Sequence, residues 1–182
     1  FADKSDMHPF LFYFSGLLVW NVFSQGITSS GNSILENSEM IKKIYFPRLI
    51  IPVSSIIVAL FDFIMAMLVF IVGALILVEV DWTHLPLVLG NFFLSISITV
   101  MATLGIAFLL SALTVKYRDF RYVVSFMVQI LFFLSPVIFS VQSMAQKIGI
   151  WAYANPLTGS IALMRGEYSM EIWISAASAA LL

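Results

Sequence analysis

Asp62 is the residue with the clearest chemical potential, because it is the only Asp, Glu, Lys or Arg in the apolar run from Leu49 to Val78. A charged side chain at membrane depth costs about 2.5 to 3.5 kcal/mol on insertion scales, so it is by default functional or tightly paired. Two interpretations of Asp62 stay open. It is either the ion-coupling group of a secondary transporter, or a structural aspartate hydrogen-bonded to neighbouring serine or backbone groups.

Other chemistry is sparse in this chain. It contains no G-x-x-x-x-G-K-[ST] loop for ATP phosphates and no G-x-S-x-G serine motif. His8 and His84 lie far apart in the sequence, with no H-E-x-x-H motif and no paired carboxylates near them. We therefore expect a chain that is not an enzyme, with no catalytic residue, no metal site and no cofactor of its own.

The composition excludes an ordinary soluble domain. Apolar residues make up 61% of the 182 residues, charged residues 10%, and the mean hydropathy is +1.02, against about 45–50% apolar and 25% charged in globular domains. The net charge of -1 provides no basic field, so nucleic acid is not an expected partner. Cysteine is absent, which excludes disulfides and thiolate zinc sites within these residues.

The charge-free apolar runs predict a single, all-α, polytopic transmembrane domain over residues 1–182. A helix needs about 20 apolar residues to cross the hydrocarbon core, and continuous apolarity over such lengths is not the alternation of a β-barrel strand. The chain begins with Phe1 and ends at Leu182 within an apolar run, so we expect a fragment of a longer protein. The predicted spans lie near residues 10–30, 49–78, 87–113, 121–141 and 170–182.

Basic residues predict the orientation, because Lys and Arg favour cytoplasmic loops. Six of the nine cluster in two segments that two spans separate: Lys42, Lys43 and Arg48 in one, and Lys116, Arg118 and Arg121 in the other. Both segments are therefore placed on the cytoplasmic face. Lys4, Lys147 and Arg165 are assigned to the outer side.

The region 136–169 predicts short outer-face helices instead of a full span. Ser135 and Pro136 disfavour continuation of the preceding helix. Asn155 as N-cap, Pro156 at the first position and Gly166 past the end predict a helix over Pro156–Arg165. Ten residues cover about 15 Å, which is half of the bilayer core, so a re-entrant hairpin or a pair of interfacial helices is expected.

Four motifs, in order and spacing, resemble the membrane subunits of ABC-2 type exporters of polysaccharides, closest to the O-antigen, capsule and teichoic acid permeases. They are IKKIYFPRLIIP (Ile41–Pro52), KYRDFRY (Lys116–Tyr122), LSPVIF (Leu134–Phe139) and NPLTG (Asn155–Gly159). The resemblance implies an amino-terminal interface helix and six transmembrane helices per protomer in a homodimer. The spans described here would then be the second to the sixth, in the inner membrane of a bacterium.

The resemblance also implies partners. A separate ATP-binding subunit would carry ATP and Mg²⁺, a second copy of the chain would complete the path, and the substrate would be a lipid-linked polysaccharide taken from among the membrane lipids. Within the cytoplasmic loop 31–48, the coupling helix would be Asn37 to Tyr45. The alternative is that this segment is only a loop whose basic residues favour the cytoplasmic side. The residues assigned to ATPase coupling are Asn37, Glu39, Met40, Lys42, Lys43 and Tyr45. The short helices before the last span, 142–154 and Pro156–Arg165, would form an outer-face gate.

Two further groups follow from this resemblance. Tyr122, Phe126, Gln129 and Phe133 fall at i, i+4, i+7 and i+11, one face of the fifth span, and are proposed to line a glycan channel, the alternative being ordinary packing aromatics. Lys116, Arg118, Asp119 and Arg121 either anchor the inner face or contact the ATPase or lipid phosphates. Two alternative functions stay open: an ABC-2 exporter of a drug or other lipid, and an ion-coupled secondary transporter that uses Asp62.

Overall fold

The computed structural model describes residues 8–43, 47, 49–77, 85–117, 119–141, 143–144 and 155–166. Across these ranges the chain forms helices and turns, with no strand. The helices are α1 (Pro9–Glu36), α2 (Ser38–Lys43), α3 (Ile50–Leu77), α4 (Leu85–Lys116), α5 (Phe120–Leu134) and α6 (Pro156–Arg165). The all-α class predicted from the apolar runs is confirmed.

Within the described ranges, three helices are long and apolar enough to cross a bilayer: α1, α3 and most of α4. The 28 residues of α1 and α3 each extend about 42 Å at 1.5 Å per residue, which exceeds the hydrocarbon core of about 30 Å. The 15 residues of α5 reach only about 22 Å. By itself, α5 therefore does not cross the core.

The contacts of α1 fix the directions of its neighbours. Along α1, Phe14 stacks on Phe70, and Ser30 donates a hydrogen bond to the carbonyl oxygen of Pro52, so α3 runs antiparallel to α1. Near the middle of α1, Gly26 lies against Thr103 of α4. Nearer the start of α1, Leu18 and Val22 cluster with Phe92 near the start of α4. The two contacts follow the same order along both helices, so α4 runs parallel to α1.

This topology gives the bundle two distinct ends. The α1–α3 connection, which includes α2, and the short α4–α5 connection lie at the same end, here called the α2 end. At the opposite end α1 begins, and α5 ends there. The described residues of the two basic segments that the charge pattern assigned to one face therefore lie at the α2 end.

The core is built around α1. Side chains of α1 pack with those of α5, α6 and the turn between these two helices. The buried members of this cluster are Val19, Trp20, Phe23, Ile27, Val124, Val137, Leu157 and Ile161. The turn after α5 and the short helix α6 are therefore parts of the protein interior.

Two helix ends differ from the predicted span boundaries. α1 continues to Glu36, into the segment predicted as loop 31–48, because no proline interrupts the helix before Asn37. The backbone N–H of Asn37 donates to the carbonyls of Ser33 and Leu35. α5 ends at Leu134, although the span was predicted to reach residue 141. Ser135 adopts an extended conformation with ψ 145°, as expected for a residue before proline.

The short helix α6 confirms the prediction over Pro156–Arg165. The Asn155 side-chain oxygen accepts the N–H of Leu157 at 3.0 Å, and Gly166 is left-handed with φ 72°. These are the cap functions for which Asn and Gly are favoured. The predicted span 170–182 and most of the predicted helix 142–154 lie outside the described residues.

Candidate functional site

The break after α5 leaves backbone groups without helical partners. Residues 135–140 form turns and bends between α5 and the described helical residues Val141, Ser143 and Met144. Non-helical backbone at membrane depth is tolerated only where protein or enclosed water satisfies it. Ser135, Pro136 and Val137 are all buried, so their polar groups need donors from elsewhere in the protein.

Arg165 supplies those donors. Its Nη1 donates to the carbonyl oxygens of Pro136 at 2.8 Å and Phe139 at 3.2 Å. Its Nη2 donates to the carbonyl oxygen of Val137 at 2.7 Å. Nη2 also donates to the Phe12 carbonyl oxygen on α1 at 3.1 Å. One guanidinium therefore joins the turn to α1 and α6.

Arg165, which the charge pattern assigned to the outer side, is a buried residue. Only 7% of the residue is exposed, and its guanidinium carbon lies 3.8 Å from the centre of the Phe12 ring. Burial of an arginine is favourable only when its fixed fork of donors is satisfied. We call the residues 135–140 together with Arg165 the elbow.

Two more residues stabilise the elbow. The Asn155 amide nitrogen donates to the Ser135 hydroxyl at 2.8 Å and to the Leu134 carbonyl at 3.3 Å. A Cβ at Gly16 would lie 2.6 Å from Arg165 Nη2 and 3.1 Å from the Val137 oxygen. Glycine at position 16 therefore permits the close approach of α1 to the elbow.

The predicted lining residues share an exposed face of α5. Tyr122, Phe126 and Phe133 are 64%, 63% and 72% exposed, and Gln129 is also exposed. The opposite side of α5 packs into the core through Val124, with Val128, Leu131 and Phe132 against it. The four residues are thus outside the protomer core, and their role as channel lining stays a prediction.

A helix forms within the segment predicted to couple to the ATPase. α2 covers Ser38–Lys43 and follows α1 with Asn37 as the only intervening residue. Asn37 Nδ2 donates to the Ser33 carbonyl at 2.8 Å, and Glu39 and Lys43 are exposed. Tyr45 and the side chains of Met40 and Lys42 lie outside the described residues. The coupling role of the segment is untested.

The second basic segment, also at the α2 end, has exposed side chains at Lys116, Asp119 and Arg121. Arg121 donates to the Tyr122 hydroxyl at 2.7 Å and lies 4.7 Å over its ring. Arg118 is outside the described residues. This arrangement connects the basic segment to the exposed face of α5.

Asp62 has a partner that sequence reasoning missed. Gln25 Nε2 on α1 donates to Asp62 Oδ2 on α3 at 2.7 Å, although a serine or backbone group was expected. Asp62 is nevertheless an exposed residue of the protomer. In the described part of the chain, no three His, Cys, Asp or Glu residues group as a metal site.

These long apolar helices define a polytopic helical membrane protein. The chain belongs to the ABC-2 type transporter family, whose model matches residues 3–168.

Three curated relatives are each named as an O-antigen export system permease protein RfbA. Two are from Klebsiella pneumoniae, 29% identical over 151 residues and 28% over 156 residues, and each match covers 83% of this chain. The third, from Myxococcus xanthus, is 28% identical over 140 residues, 76% of this chain. The chain spans 57%, 57% and 52% of the lengths of these relatives, or slightly more than half.

Proposed function

We propose that this chain is part of the membrane subunit of an ABC exporter that moves a polysaccharide or lipid-linked glycan across a bacterial inner membrane. ATP hydrolysis in a separate nucleotide-binding subunit drives the transport. The observation that carries this proposal is membership of the ABC-2 type transporter family together with three relatives named as O-antigen export permeases.

The α2 end supports coupling to an ATPase. α2 is short, exposes an acidic and a basic residue, and is separated from α1 only by Asn37. A force applied to α2 therefore passes directly into α1, the helix around which the core is packed. Rigid movement of this kind shifts packed elements as units, since packed interfaces change between discrete arrangements.

The exposed face of α5 supports a path for a glycan between two copies of the chain. Its aromatic rings present flat apolar faces, while Gln129 and the Tyr122 hydroxyl supply hydrogen-bonding groups. Sugar rings offer both apolar C–H faces and hydroxyls, so such a surface binds them without demanding one linkage. In this proposal the second copy provides the facing wall.

The elbow supports a gate at the end opposite α2. α6 and the turn 135–140 are held to α1 by Arg165. The carbonyl groups of the turn accept hydrogen bonds from a side chain and not from a regular helix. The chain can therefore close the path at this end without a helix that crosses the whole membrane. The gate opens when the two protomers separate at this end.

The test uses the full-length protein in cells that display the glycan on their surface. Abolishing ATP hydrolysis in the partner subunit is expected to remove the surface glycan and to accumulate lipid-linked glycan at the inner leaflet. A matched control with an inactive permease and an active ATPase should show the same accumulation. Surface glycan that persists without ATP hydrolysis contradicts the proposal.

The same cells separate the two alternative functions. Persistence of export without ATP hydrolysis, with loss after collapse of the proton gradient, supports an ion-coupled transporter that uses Asp62. Normal surface glycan combined with retention of another lipid or a drug supports an ABC-2 exporter of that compound. The relatives' names favour glycan over both.

A further inference from the structure

α1 is the least apolar of the three long helices, and its amide-bearing residues before Glu36 share one face with Thr28. Asn21, Gln25, Thr28 and Asn32 lie at i, i+4, i+7 and i+11, and none of the four is buried. This spacing places them on one face of a helix. These four residues, together with Asp62 beside Gln25, are here called the polar stripe.

The stripe faces the gap between α3 and α5. Trp20 contacts Phe132 of α5, with ring centres 5.2 Å apart, and Gln25 contacts Asp62 of α3. At about 100° per residue, Gln25 lies about 140° around α1 from Trp20, and Asn21 and Thr28 fall within that arc. The stripe is therefore flanked by Asp62 on one side and by α5 on the other.

Much of its hydrogen-bonding capacity is unused among the described residues. Among the described residues, the side-chain amides of Asn21 and Asn32 form no hydrogen bond, and Thr28 donates only to the Ser24 carbonyl of its own helix. Asp62 is exposed and accepts from the Gln25 amide. Most of these polar groups thus remain able to bind an external partner.

Lipid is an unfavourable environment for this face. Intramembrane ionisable residues almost always face a bundle interior or a water-filled cavity. On α3, Ile57 and Ile64 are 60% and 56% exposed, and lie about 140° and 160° around the helix from Asp62. The side of α3 away from Asp62 is aliphatic and suited to lipid, whereas the stripe is not.

We propose that the polar stripe is a second wall of the transport path and binds the hydroxyl groups of the glycan through its amides and the Asp62 carboxylate. The stripe supplies both donors and acceptors, which is the complement that hydroxyls need. It lies beside α5, so in this proposal the exposed aromatic rings of α5 contact C–H faces and the stripe contacts hydroxyls. This inference rests on the proposed function.

The test is the reactivity of single cysteines with a charged, water-soluble methanethiosulfonate. The 182 residues contain no cysteine, so any native cysteine elsewhere in the full-length protein is first replaced. Cysteines are introduced at Asn21, Thr28 and Asn32, with Ile57 and Ile64 as controls. The controls lie five and two residues from Asp62 and hence at similar depth, about 8 and 3 Å along the axis.

Stripe positions are expected to react at least about tenfold faster than the controls, because the reagent needs water and the ionised thiol, which apolar surroundings disfavour. Labelling is compared between membranes from cells that make the glycan and membranes from cells that lack its first glycosyltransferase. Both kinds of membrane contain an ATPase variant that binds ATP but does not hydrolyse it. The glycan should slow labelling at the stripe and leave the controls unchanged.

Two results overturn the inference. If the stripe cysteines react only as fast as the control cysteines at positions 57 and 64, the stripe faces lipid or protein. Rapid labelling that is equal with and without glycan shows a water-filled surface that does not bind the glycan. Failure of the proposed function is detected separately, by surface glycan that survives loss of ATP hydrolysis, because labelling requires no transport.

Discussion

Arg165 places its guanidinium carbon 3.8 Å from the centre of the Phe12 ring, although the two residues are 153 positions apart in the sequence. The same group donates to the Phe12 carbonyl and to three carbonyls of the elbow. A cation over an aromatic face is attracted to the ring, more strongly when it is removed from water. This contact joins the start of α1 to the end of α6.

Arg165→Leu should destabilise the protein by about 3 kcal/mol or more, because each buried carbonyl that loses its donor costs about 1–3 kcal/mol. Arg165→Lys should recover only part of this, because an ammonium lacks the planar fork that reaches several carbonyls at once. Thermal unfolding of the full-length protein in mild detergent measures both. Arg121→Leu is the control, since Arg121 is exposed and its loss should change stability by less than about 0.5 kcal/mol. Equal stability of Arg165→Leu and Arg121→Leu contradicts the role of Arg165.

Gly16 and Gly31, both in α1, should respond in opposite directions to substitution by alanine. A Cβ at Gly16 meets Arg165 Nη2 at 2.6 Å and the Val137 backbone at 3.1 Å, whereas a Cβ at Gly31 meets nothing within 4 Å. Gly16→Ala should therefore cost about 1–3 kcal/mol through overpacking. Gly31→Ala should gain about 0.5–1 kcal/mol from lower backbone entropy in the unfolded chain. An unfolding midpoint of Gly16→Ala at or above that of the unsubstituted protein would show that the spacing between α1 and the elbow is not limiting.

The long helices and α6 were predictable because the determining signals are local. Runs of apolar residues longer than the bilayer thickness predict the spans, and Asn155, Pro156 and Gly166 fix the limits of α6. The early end of α5 was also signalled locally, by Pro136. Its effect on the predicted boundary at residue 141 was underestimated.

Arg165 and Gln25 were not predictable in the same way. Their partners come from distant parts of the chain, and in the sequence Arg165 resembles any basic residue at a helix end. One signal was available: a proline break within an apolar run requires a donor for the freed carbonyls. Asp62 likewise required a partner, but which helix supplied it depended on the antiparallel packing of α1 and α3.

Reversing the charges of α2 tests its contact with the ATPase. Glu39→Arg with Lys43→Glu keeps opposite charges at i and i+4, so the helix retains its own pairing possibility, while the surface offered to a partner changes sign. Co-purification of the ATPase with the full-length protein should fall by about tenfold or more, as expected when charges across an interface become mismatched. Glu39→Asp with Lys43→Arg preserves the charges and should retain the ATPase. Unchanged recovery with the reversed pair would place the coupling contact elsewhere.

Bulky labels on α5 test its exposed face as a wall of the path. Cysteines at Phe126 and Phe133, each modified with a large maleimide, are expected to block export because both side chains lie outside the protomer core and on one helical face. The measurement is the appearance of surface glycan after labelling. Equivalent labels at Leu68 and Ile64, which are 55% and 56% exposed on α3, should leave export intact because that face is aliphatic. Undisturbed export with labels at Phe126 and Phe133 would show that the aromatic face serves packing and not transport.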